Sequence, residues 1–132
     1  MNLIVVYTGG VLTILLALFH LRFYKIFHWE KEFGNISSVN KKIFYTIHLA
    51  LILLFFLLGI LILVYAEELI RSDGLALGLN WALSIFWLWR FLWQIFYFRN
   101  KKKRGKSFLE IILLLWFFLL FACFLLPVLS RY

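Results

Sequence analysis

The chain has 132 residues, of which 65% are hydrophobic and 21% aromatic, while only 15% carry charge. A soluble domain is about 45–50% apolar and about 25% charged, and a sphere this small could not hide the surplus from water. The same hydrophobicity excludes a disordered chain, and the net charge of +8 sits in short segments between apolar runs, which points to a membrane and away from nucleic acid.

A helix needs about 20 apolar residues to cross about 30 Å of hydrocarbon. Four segments meet that length: 3–21, 43–66, 75–98 and 108–129. Period-two alternation is absent, so these read as helices and not as barrel strands. The expected fold is an all-α integral membrane protein, a four-transmembrane-helix antiparallel bundle forming a single membrane domain. The first span has no basic start and no A-x-A-like site after it, unlike a signal peptide; Arg22 and Lys25 follow it instead.

Between the first and second spans, 22–42 mixes Phe23, Ile26, Phe27, Trp29 and Phe33 with charged residues, and reads as a helical extension at the membrane interface. Glu30 falls on its apolar side, and Gly34 and Asn35 suit its C-terminus. Asn40 is a plausible N-cap for the second span. Ser72, Asp73 and Gly74 form a turn that opens the third. Ser107 and Glu110 form a capping box at the fourth, and Pro127 falls near its end. The short connections make the second, third and fourth spans sequential antiparallel neighbours. Gly9, Gly10 and Gly59 permit close helix approach, and Gly74 and Gly78 have GxxxG spacing.

Orientation follows from the basic residues. Arg22, Lys25, Lys31, Lys41 and Lys42 lie in the first connection, and six more lie in 99–106. These eleven are opposed by Arg71 and Arg131 alone, with Arg90 inside a span. The positive-inside rule places the eleven in the cytoplasm and both termini outside. The imbalance argues against small exporters and channels that insert both ways round. The run 99–106 also invites anionic lipid headgroups, at about 1 kcal/mol per basic residue.

Polar residues within spans are the functional candidates. Arg90 lies about 5 Å from the midpoint of its helix, where a transfer scale assigns about 2.5–3.5 kcal/mol to a buried Arg. Asn80, Ser84, Trp87, Arg90 and Gln94 fall within an arc of about 120° and form one polar face. His20, His48, Gln94 and Glu110 come to a common depth, about 10–12 Å below the midplane, so that each helix contributes one polar group to a layer beside Arg90. Arg90, His48, Gln94, His20, Glu110 and Asn80 are therefore the candidate binding residues, in a pocket open toward the cytoplasmic leaflet.

No nucleophile, acid–base pair or metal cluster stands out, so no catalytic or metal-binding residue is assigned. Cys123 is single and lies in an apolar run, which excludes an internal disulfide and quinone-linked dithiol chemistry. The favoured function is non-enzymatic: binding a lipid headgroup, a small ligand or a protein partner, a second copy of the chain included. The alternative is a small transport or redox protein using His20, His48 and Arg90, with haem b held between the two histidines as its cofactor.

Asn40-Lys41-Lys42-Ile43-Phe44 leading to His48, then Glu67-Glu68-Leu69-Ile70, then Phe86-Trp87-Leu88-Trp89-Arg90 followed by Gln94, carry a likeness over most of 15–98. In these stretches the chain resembles small bacterial four-helix integral membrane proteins to which no activity is assigned. The resemblance implies a bacterial inner-membrane location and no reaction. It falls on His48, Arg90 and Gln94, which the depth argument selects independently.

Overall fold

The structure is a computed structural model that describes residues 3–98 and 107–132. Among these residues it is all-helical: α1 (Ile4–His20), α2 (Phe23–Ile26), α3 (Trp29–Glu32), α4 (Ser38–Val64), α5 (Ala66–Arg71), α6 (Gly74–Phe96) and α7 (Phe108–Leu129). Three of them, α4, α6 and α7, are long and apolar enough to cross a membrane, and α1 is a shorter apolar helix of 17 residues. The basic run 99–106 lies outside the described residues.

Local chemistry sets most boundaries. Ser107 accepts from the Glu110 N–H, and Glu110 Oε2 accepts from the Ser107 N–H, so the expected capping box starts α7. The cap of α4 is Ser37, not Asn40: its backbone is extended and its hydroxyl accepts from the Asn40 N–H. The helix thus begins five residues before the expected span and runs for 27 residues. Ser72 (φ 51°) and Gly74 (φ 48°) both take left-handed backbone, giving the sharp reversal between α5 and α6.

The interfacial segment is not one helix. His28 adopts φ 51°, a conformation that histidine tolerates better than branched residues, and the chain breaks there into α2 and α3. The break resolves the imperfect stripe. Trp29 turns inward and is buried, while Glu30 stays exposed. The Trp29 ring meets Phe44 edge-on at 4.8 Å and His48 at 4.7 Å, fastening α3 to α4.

Helix α1 is the hub. It packs on α4 along one side and on α7 along the other, and α7 packs on α6. Glycine makes both seams close. A Cβ at Gly10 would lie 2.7 Å from Leu63, and one at Gly59 would overlap Ile14 and sit 3.1 Å from the Gly10 carbonyl oxygen. A Cβ at Gly9 would meet Phe124 at 3.0 Å and Cys123 at 3.2 Å. Gly78, by contrast, has nothing within 4 Å, so it makes no close helix contact among the described residues. Trp116 Nε1 donates to the Leu12 carbonyl at 3.2 Å, pinning α7 to α1. Cys123 is a buried packing residue in this seam.

The expected sequence of antiparallel neighbours holds for α6 and α7 but fails for α4 and α6, which do not form a packed pair among the described residues. The six-residue helix α5 buries Ala66 and Leu69 and contacts α1, α4, α6 and α7. The order around the bundle is therefore α4, α1, α7, α6. Phe55 of α4 and Trp87 of α6 still meet through their rings, stacked at 5.7 Å. On the α5 side of that pair a groove of about 490 Å³ separates α4 from α6.

Candidate functional site

The polar face of α6 points into the protein. Asn80, Ser84, Trp87 and Gln94 are buried and Arg90 is half-buried. The Arg90 guanidinium carbon lies 4.5 Å from the centre of the Phe117 ring on α7 and 5.3 Å from that of Phe98. Arg90 thus faces a sister helix, as its place on the polar arc requires. A desolvated cation over a ring gains about 2 kcal/mol, which offsets much of the insertion cost but supplies no hydrogen-bond acceptor.

Hydrogen bonding at Arg90 is incomplete. Its buried Nη1 has no partner among the described residues, and neither do Trp87 Nε1 and Gln94 Oε1 on the same face. Glu110 does not neutralise the guanidinium; its carboxylate is turned back to the Ser107 N–H. Each unsatisfied buried group carries a penalty of about 1–3 kcal/mol. Three within two helical turns mark a place where external polar atoms belong.

These atoms line two adjoining cavities. The first, of about 360 Å³, is walled by α1, α4, α6 and α7 and is mostly apolar; Leu51, Phe55, Phe86, Trp87, Trp89 and Arg90 are among its lining residues. Its floor is a stack of three rings, Phe55 on Trp87 at 5.7 Å and Trp87 on Phe117 at 6.0 Å. The second, of about 610 Å³, lies toward α2 and α3 and is lined by His20, His48, Arg90, Gln94 and Glu110 together with aromatic rings. His20, Phe23, Leu51, Arg90 and Leu113 border both. Five of the six candidate residues thus meet in one cavity, drawn from four helices.

Asn80 is the exception. It lies at the other end of α6, where its Nδ2 donates to the Leu69 carbonyl at 2.8 Å and to Ser72 Oγ at 3.2 Å. It belongs to the α5–α6 junction, which Arg131 Nη1 also clasps by donating to the Ser72 carbonyl at 2.9 Å. Helical projection groups Asn80 with Arg90 because both lie on one face, but ten residues of rise set them about 15 Å apart.

The two histidines close the end of α1. His20 Nδ1 donates to the Leu16 carbonyl at 2.7 Å, and His48 Nε2 donates across to the His20 carbonyl at 2.9 Å. One nitrogen of each ring is therefore committed to backbone. The Phe23 ring stacks on His20 at 4.3 Å and on His48 at 5.5 Å. The bond at His20 leaves its Nε2 available, but His48 Nε2 is committed to the His20 carbonyl, and the two imidazole centres lie 5.8 Å apart with the Phe23 ring packed on both, an arrangement that does not fit a haem between them.

Sequence reading missed the aromatic part of the site. Phe117 sits seven residues after Glu110, on the same helical face, which is the signal that could have placed it under Arg90. Trp29 gave no such signal, because its inward turn depends on the backbone reversal at His28, whereas Phe23 lies three residues after His20 and stacks on it. No family model, no curated protein and no solved structure matches this chain.

Proposed function

We propose that this chain is a non-enzymatic binding protein of the bacterial inner membrane, crossing it four times with both termini outside. It takes an anionic group, a lipid headgroup or small anion, at Arg90 from the cytoplasmic side. The observation that carries this reading is the buried Arg90 Nη1 without a hydrogen-bond partner among the described residues, beside the equally unmatched donor Trp87 Nε1; Gln94 Oε1, an acceptor, calls for a donor and not for the anion itself. An anion supplies the acceptors that the guanidinium and indole lack, and a planar guanidinium matches carboxylate or phosphate geometry. Binding is favoured over catalysis because Glu110, the carboxylate on the cavity wall, is engaged in its own capping box.

The basic imbalance, eleven against two, supports the threading, with the His20–Gln94–Glu110 end at the cytoplasm. Reporter fusions at Lys103 and at the C-terminus test it: opposite locations are expected, with Lys103 inside. Native mass spectrometry of wild type and Arg90→Ala, released from micelles containing anionic lipid, tests the binding. Retained lipid is expected to fall in the variant; equal retention would count against an anion site at Arg90.

A further inference from the structure

The walls of the Arg90 cavity differ in how they are sealed. On the α1 side, Leu16, Phe19 and His20 close the cavity, and the α1–α4 and α1–α7 seams continue beyond it to the close contacts at Gly10, Gly59 and Gly9. The α6–α7 side is a packed pair, and the floor is the Phe55–Trp87–Phe117 stack. The remaining side lies between α4 and α6, which share no close backbone seam among the described residues and meet through the Phe55–Trp87 rings. There the cavity is bordered by Leu51 on α4 and by Phe86 and Trp89 on α6, and the two α6 rings are themselves exposed. In a membrane that flank faces acyl chains.

Resting on the reading of Arg90 as an anion site, we infer that the occupant is a membrane amphiphile with an anionic head. The head sits between Arg90 and Gln94, and the hydrocarbon tail leaves sideways through the gap between α4 and α6. Two features select this class. The two cavities meet at Arg90: His48, Gln94 and Glu110 help line the larger, and Leu16, Phe55, Phe86 and Trp89 help line the smaller. A tail entering from above the ring floor cannot continue along the bundle axis, so the flank between α4 and α6 above the Phe55–Trp87 stack is its exit. Phosphodiester and carboxylate heads share this chemistry.

The test is photolabelling in phosphatidylcholine nanodiscs containing phosphatidylglycerol with a diazirine midway along one acyl chain. Adducts are expected to concentrate on the peptides holding Leu51, Phe55, Phe86 and Trp89. Losing charge-assisted bonds implies a drop of about ten-fold or more in Arg90→Gln, with partial recovery in Arg90→Lys. Melting curves on both variants establish that they are folded, and Gln94→Leu gives an independent loss should Arg90→Gln fail to fold. Competition by unlabelled phosphatidylglycerol or by oleate tells the phospholipid source from the fatty-acid source. Adducts spread evenly over all helix faces would overturn the inference. If glycerophosphoglycerol, the same head without chains, binds as tightly as the lipid and depends on Arg90, the sideways tail is wrong while the anion site stands. If no probe responds to Arg90, both fall.

Discussion

The two ends of the α6 polar face use similar residues to opposite effect. At the α5 end, Asn80 is fully buried and its amide nitrogen makes two hydrogen bonds, to Leu69 and Ser72. Beside it, Ser84 donates to the Asn80 carbonyl at 2.7 Å. Only Asn80 Oδ1 lacks a partner there among the described residues. At the other end, Trp87, Arg90 and Gln94 each leave a buried polar atom unmatched, and two cavities open beside them. Polar groups inside an apolar bundle are glue where the chain supplies their partners and a site where it does not. Position on a polar arc does not distinguish the two; only the census of partners does.

Substitutions at each end sharpen that contrast. Gly59→Ala puts a methyl group against Ile14 and the α1 backbone, where the seam cannot yield as a flexible side chain would. Overpacking of this kind destabilises by about 3 kcal/mol, and unfolding in detergent should register it. Asn80→Leu keeps the branched shape but removes the amide's bonds to the Leu69 carbonyl and Ser72 Oγ, with an expected loss of about 2 kcal/mol in the same assay and no change in lipid retention by folded protein. His48→Phe removes the bond to the His20 carbonyl and should cost about 1 kcal/mol, showing whether that histidine is a helix cap first. Gly78→Ala meets open space and should raise stability by about 0.8 kcal/mol through helix propensity alone. A large loss there would mean that an unseen neighbour packs on α6.

The helices were legible because 3.6-residue periodicity, caps and apolar length are local properties. The Ser107–Glu110 box and the Ser72–Gly74 turn stand where the residues indicated. The convergence of His20, His48, Arg90, Gln94 and Glu110 on one cavity also followed from counting residues along the helix axes. Lateral arrangement did not. That α4 and α6 share no close backbone seam, while α5 buries Ala66 and Leu69 against its neighbours, is a matter of tertiary packing of which loop length carries no trace. The ring floor was equally hidden, since Phe55, Trp87 and Phe117 are far apart in sequence. Arg90 was visible as a buried charge, but its lack of a partner was not, because Glu110 lay at a suitable depth and only its capping geometry removes it.

The most direct measurement is thermal unfolding of Arg90→Met beside Asn80→Leu, both in detergent free of anionic lipid. Methionine keeps most of the arginine stem and removes the unmatched guanidinium. A site residue held at a stability penalty predicts that Arg90→Met melts at or above the wild-type temperature while Asn80→Leu melts below it. Should Arg90→Met fall as far as Asn80→Leu, the guanidinium would be bonded within the chain and no anion would be needed to complete it.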